Sequence, residues 1–568
     1  MGGRRFRSDA TLAFALASHN PREYDVPNSD FDRTGIGHPR SKLLKTRVKR
    51  MPSRPRRLAV ALLFSVMAST MALAQDNTLQ ISSGGSDIAT LDAHRASQTT
   101  DKALVGWMYN GLVRFPPGSA DPKDIELDLA ERWETSPDGK VWTFHLRKGV
   151  KFHGNWGELT ADDVVYSLTR SADPKRSTFS ADFAAIDKLE KLDDTTVRIT
   201  LKYTDVNFLG RVSNYHGGNI VSKKAAEELG DRFGTNPVGT GPFAFAEHVT
   251  QQYVKLVAHP GYFRGKPKID TIMYRMIPSD SARELAFTSG ELDVMYAKRE
   301  QRWVDQARRR GNINVDIFRP GEFRTLHINR SIAPLDDLRV RQAIAYAINV
   351  DDLVKYVGKD VGPRGCSVVP PGYLGEDCTA GNYPFDPAKA KALLAEAGHK
   401  DGITLKVTVS NISAQQPIME IIQSQLAKAG IKLDMSVVDH PTYQSQSRKN
   451  ASALVFYGAA RFPIADTYLS EFYHSSADVS KPTAVTNFSH CAVADAEIEA
   501  ARTEPNPDKQ KAFWKEAQRK IHDDVCAVPL FDLNQVWAHS NRIDYGYDLK
   551  GAMNLAPPIT ELTTVKPR

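Results

Sequence analysis

Cysteine is scarce in this sequence, with 4 in 568 residues, and no CxxC or cluster of histidines accompanies them. A metal centre therefore has no obvious ligand set, and a small disulfide-dense scaffold is excluded. Catalytic signatures are missing as well. There is no GxxxxGK[ST] phosphate loop, no HExxH and no GxSxG elbow. Gly239-Thr240-Gly241 is followed by Pro242 and Phe243, which makes it a tight turn rather than a phosphate cradle. The acidic pairs Asp162-Asp163 and Asp351-Asp352 stand at helix starts, where the helix dipole accounts for them. These absences argue against an enzyme and against a bound cofactor. An excess of one charge sign is also absent once the chain is divided. The whole carries +7, but residues 1–74 hold 14 basic and 5 acidic residues, leaving 60 basic and 62 acidic beyond them. A body with net charge near −2 lacks the basic face that nucleic-acid binding needs.

The leader holds the one strongly apolar run. Arg54-Pro55-Arg56-Arg57 precedes Leu58–Met67, and small residues then end at Ala72-Leu73-Ala74. A basic flank, a short apolar core and an Ala-x-Ala site spell a cleaved export signal over 51–74. The run is too short to span a bilayer. Residues 1–50 precede a good start at Met51 and are read as an over-long extension. Export favours disulfides among Cys366, Cys378, Cys491 and Cys526. Three pairings are open; Cys366–Cys378 is favoured because it closes a short Pro/Gly-rich loop, which pairs Cys491 with Cys526 by elimination.

What is present alternates between strand and helix patterns without an internal repeat. Thr78–Ser82, Val141–Leu146 and Thr196–Leu201 are β-branched or aromatic, and Thr160 caps a helix beginning at Ala161. Beyond residue 323 the pattern is more regular. Helices are expected at Leu338–Ile348, Pro387–Ala397 and Pro417–Ala429, and strands at Leu405–Ser410, Lys432–Val437 and Leu454–Tyr457. Strand–helix–strand succession implies a parallel crossover. Short strands are expected after about Pro529.

Residues 129–153, LAERWETSPDGKVWTFHLRKGVKFH, carry a more specific signal. Asn236–Phe243 (NPVGTGPF), Pro260–Gly265 (PGYFRG), Gly290–Asp293 (GELD), Asp337–Ala343 (DLRVRQA) and Tyr383–Pro387 (YPFDP) follow in order. In that order they resemble the extracellular solute-binding proteins of family 5, the dipeptide- and oligopeptide-binding class of ABC importers. The resemblance covers about residues 77–550. It implies an α/β, two-lobed periplasmic-binding-protein fold of type II, the large peptide-binding class with an extra subdomain in lobe one. Lobe one would take 75–323 as two subdomains, lobe two 324–529, and 530–568 would return to lobe one. The implied function is a periplasmic receptor, a monomer, that captures a peptide or another small organic solute and delivers it to inner-membrane permease subunits. The alternative is a sensor or chaperone-like binder on the same scaffold without transport.

The solute is less legible. Peptide-binding relatives place an Asp after a lobe-two strand to hold the peptide amine, and here Arg461 stands there, with Asp466 the first acid to follow. The loop in which dipeptide binders often carry an Arg begins with Asn411 and has none. The charge pattern has left the dipeptide class; Arg461 is read either as a bidentate clamp for a carboxylate or phosphate of the solute or, equally, as a solvated rim residue. Tyr457 and Phe462 offer aromatic walls, with core packing the stronger alternative for Tyr457. Ser97 and Gln98 match the family's ligand-facing segment in lobe one. Nickel, haem, opines and oligosaccharides also occur as ligands in the wider family.

Overall fold

The computed structural model describes residues 77–412, 414–481 and 486–567. The leader, with its export signal and cleavage site, lies outside the described residues. An eight-stranded mixed sheet forms the frame. Its order is Leu454–Ala459, Ile313–Ile328, Ala527–Ser540, Val294–Tyr296, Thr78–Ser82, Thr271–Arg275, Tyr253–Ala258, Phe243–Val249. The two longest strands, of 16 and 14 residues, lie side by side and antiparallel, with Phe323 opposite Asp532 and His327 opposite Ala527.

One apolar core gathers side chains from Leu79 to Val294 and from Trp537 to Val565, and two others gather residues between Ala286 and Ala538. The paired long strands contribute to all three: Phe318 and Trp537 to the first, Leu326 and Leu533 to the second, Phe323 and Ala527 to the third. A separate four-stranded antiparallel sheet (Ala130–Thr135, Val141–Leu146, Thr196–Leu201, Ile186–Asp193) sits on the first core. Its first turn is set by Gly139, whose φ of +68° suits a residue without a Cβ. Phe144 and Leu146 point inward from that sheet, as strand alternation requires. The Asp163 carboxylate accepts the Thr160 N–H at 2.9 Å and starts the helix Ala161–Ala172.

The expected parallel crossover is present: Ile403–Ser410 and Ile431–Val438 pair in parallel around the helix Gln416–Lys428. The third strand differs from expectation. Leu454–Ala459 pairs antiparallel with Ile313–Ile328 rather than extending the parallel pair. Its lead-in is hydrogen-bonded to that pair: Ala453 N–H donates to the Lys406 carbonyl and Thr408 N–H to Ser452 Oγ. Both its faces are apolar, Leu454 and Phe456 on one and Val455 and Tyr457 on the other, so it is buried on two sides within the large sheet. The C-terminal region opens with one long strand, Ala527–Ser540, where short ones were expected, and the short strands Ile543–Asp544 and Thr564–Val565 follow it. The first twelve residues of the long strand are buried, a continuous pattern that hides the alternation by which strands are recognised. Both expected disulfides form, Cys366–Cys378 and Cys491–Cys526, with Cα separations of 5.3 and 5.8 Å. Among the described residues no helix is long and apolar enough to cross a membrane.

Candidate functional site

Two cavities lie where residues of the first core face residues of the others, and Phe462-Pro463 stands between them. The smaller, about 40 Å³, is lined among others by Asp182, Arg211 and His216 on one side and Arg461, Phe462 and Glu471 on the other. The larger, about 740 Å³, is lined among others by Ser119, Lys123, Arg319, Tyr373, Glu376 and Pro463. That volume is within the range of small-molecule sites. The disulfide loop 366–378 supplies part of its wall and is stitched to the Phe462 segment: Leu374 N–H donates to the Pro463 carbonyl and Ala465 N–H to that of Leu374.

Phe462 fits because Gly210 faces it. A Cβ at 210 would overlap the ring, and Phe115 packs against the same ring at 5.8 Å between centroids.

The smaller cavity is a mesh of opposed charges. Arg461 Nε donates to Glu471 Oε2 at 2.5 Å, and its guanidinium lies 5.7 Å from the centre of the Phe472 ring. Burial disfavours the Arg461 charge, but Glu471 outweighs it and holds the group firmly protonated. Arg211 donates to Asp182 at 2.7 Å and stands 3.5 Å from Asp205. Burial works to raise Asp182, yet Arg211 and then His216 hold it at about 2. Lys102 projects toward this mesh, 5.9 Å from the centre of the Tyr215 ring, and makes no ion pair among the described residues. Burial, and then the positive charge of Arg461, push its ammonium down to about 8. Asp182 and Glu471 act on it from beyond ion-pair distance and offset this only in part.

The expected site residues divide. Arg461 and Phe462 line the smaller cavity. Asp466 sits just behind, 4 % exposed, where Asn207 Nδ2 reaches its Oδ2 at 3.5 Å. Burial raises its carboxyl to about 6, with Arg502 opposing. Tyr457 packs in the core beneath, 4.8 Å from Phe488 between ring centres. Ser97 and Gln98 are exposed just before the helix Thr99–Met108, and the Gln98 carbonyl accepts the Lys102 N–H. Asn411 is exposed at the end of the strand Ile403–Ser410, its N–H bonded to the Val438 carbonyl, and lines neither cavity. Lys102, Asp182, Arg211, Arg319 and Asp532 were not singled out in the sequence. Lys102 had a usable signal, since four residues after Gln98 is one helical turn on the same face. Among the described residues the one Cys/His/acid group of metal-binding size is Cys366, Glu376 and Cys378. Its two sulfurs are joined in the disulfide.

Residues 124–480 match the model of the bacterial extracellular solute-binding proteins, family 5. MoaA from A. tumefacien R10, solved with mannopinic acid, is 48 % identical, with a TM-score of 0.79 over 86 % of this chain and 99 % of that one. DppA from Helicobacter pylori, solved with the peptide STSA, is 27 % identical, with a TM-score of 0.75 over 86 % and 98 %. The dipeptide-binding protein of Escherichia coli is 30 % identical over 82 % of this chain and 91 % of its own.

Proposed function

Since the chain belongs to the bacterial extracellular solute-binding proteins of family 5, with their type II periplasmic-binding-protein fold, we propose that its solute is a small organic acid of the mannopinic-acid kind. Proteins of this family bind solutes for ABC importers, and this chain is such a substrate-binding component. The observation that carries the choice of solute is the 48 % identity with a protein bound to mannopinic acid. The charges fit: Lys102, beside Tyr215 of the smaller cavity's wall, has no ion pair among the described residues, and the peptide-binding acid is replaced by Arg461.

In this reading residues 75–323 with 530–568 form one lobe and 324–529 the other, and the long strands Ile313–Ile328 and Ala527–Ser540 are the hinge. A solute touching both lobes stabilises their closure, and the closed surface is what a permease reads. Export through the leader would place the receptor, as a monomer, in the periplasm. Calorimetric titration tests the solute class. Mannopinic acid is expected to bind with Kd of about 1 μM or tighter, and the peptide STSA about 100-fold more weakly. Preference for the peptide would overturn the organic-acid reading.

A further inference from the structure

Asp532 is the least satisfied group near the cleft. It lies on the strand Ala527–Ser540 opposite Phe323, is 0 % exposed, and neither carboxyl oxygen has a hydrogen-bond partner among the described residues. Its backbone N–H donates to the Pro363 carbonyl, so the residue is fixed while its side chain is not engaged. The carboxyl rests on Gly321, where a Cβ would collide with it.

The groups that act on it come from every side. Arg319 and Glu322 lie on the neighbouring strand, Glu376 and Tyr373 on the disulfide loop, and Tyr468 on the helix Ala465–Tyr473. Three of these, Arg319, Tyr373 and Glu376, line the 740 Å³ cavity. The Tyr373 hydroxyl, close to that of Tyr468, is also buried, with no hydrogen bond of normal geometry among the described residues. Arg319 comes closest to compensating the acid, but forms no ion pair with it within 4 Å among the described residues. A buried carboxyl and a buried hydroxyl left unbonded beside a cavity of ligand size are costly to the protein alone. A cationic donor arriving from the cavity would satisfy both.

We propose that Asp532, with Tyr373, receives a protonated nitrogen of the solute, so that the solute carries a basic nitrogen as well as an acid. This rests on the reading of the cleft as a solute site. The two ends are then read on opposite sides of Phe462: the acid toward Lys102 and Arg461, the nitrogen toward Asp532. Burial, only partly offset by Arg319, raises the empty carboxyl to about 7. An arriving cation favours its charged form and drives off its proton.

Asp532→Asn separates this from a structural role, because it keeps the shape and removes the acid. The probe is mannopinic acid, titrated at pH 6 in buffers of different ionisation enthalpy. Wild-type protein is expected to release up to one proton per solute bound. The variant should release none, bind about 10- to 100-fold more weakly, and melt at a higher temperature without solute at pH 8. Unchanged affinity and proton release in the variant would overturn the assignment and leave the receptor reading standing. No binding of mannopinic acid to wild-type protein would overturn the solute class and this assignment together.

Discussion

The two cavities flanking Phe462 are built from opposite electrostatic policies. On the Arg461 side nearly every buried charge has its counter-charge: Arg461 with Glu471, Arg211 with Asp182 and Asp205. Behind the Arg319 and Tyr373 wall of the larger cavity, a wholly buried acid, Asp532, has no bonded partner among the described residues. Paired charges hold a surface in one arrangement, whereas unpaired ones make the empty state costly and reward whatever fills it. The contrast teaches that the most conspicuous cation of a cleft need not be its most available one. Arg461 is committed to Glu471, while Lys102 is not committed to any carboxylate among the described residues.

The partition itself is the easiest thing to break. Gly210→Leu would place a side chain where the Phe462 ring now sits, forcing apart the elements that meet there. Affinity for mannopinic acid should fall by about 3 kcal/mol or more, roughly 100-fold, and small-angle scattering with solute should show a larger radius than wild type. Wild-type affinity in this variant would mean that the Gly210–Phe462 contact does not belong to the bound state.

Asp466 offers the next contrast, because it is a raised acid on the otherwise balanced side. Its folded value of about 6 exceeds the ordinary 3.8, so the folded chain holds the proton more tightly than the unfolded chain. The burial cost is therefore absent below about pH 4, grows between 4 and 6, and is complete above 6. Asp466→Asn should stabilise the protein at pH 8 by about 1–3 kcal/mol and leave it unchanged at pH 4. Denaturant melts at the two pH values measure this; equal stability gains at both would refute the titration.

The smallest expected effect sharpens the difference between committed and uncommitted cations. Lys102→Gln should weaken mannopinic acid by about 1–1.5 kcal/mol, near tenfold, with little change in melting temperature. Arg461→Gln, by contrast, should lower the melting temperature because Glu471 loses its partner. If Lys102→Gln destabilises the fold and spares affinity, the two roles are the reverse of those drawn here.

Much of the frame was readable from residue order. Thr160 marked a helix start, and the three helices expected after residue 338 ended within a residue or two of the observed ones, whereas five more helices there, among them Ala465–Tyr473 and Pro507–Asp523, were not read. Strand pairing was harder. Leu454–Tyr457 is apolar on both faces, and such a run reveals burial but not whether its neighbour runs parallel or antiparallel. The site was legible only along the chain. Arg461 and Phe462 were found because the family pattern led to them, but Asp182 and Arg211 meet from two single helical turns, Ser180–Phe183 and Phe208–Arg211, too short to show a periodicity. Asp532 sits in Val528-Pro529-Leu530-Phe531-Asp532-Leu533, where one acid in an apolar run looks like the solvent side of a strand. Only the covering by Gly321, Tyr373 and Tyr468 makes it an interior group.

The pairing of the two long strands also has a genetic side. Residues 329–526 branch from the first long strand after Ile328 and return at Ala527, which lies opposite His327 in the ladder; between those points they add the edge strand Leu454–Ala459 to the same sheet. The whole excursion of nearly two hundred residues thus begins and ends one ladder rung apart. Such an excursion can be exchanged between related genes as a cassette, with both junctions falling on a backbone ladder that any relative's strands can re-form. One half of a cleft can then change its side chains wholesale while the other half, and the ladder that joins them, stays as it was.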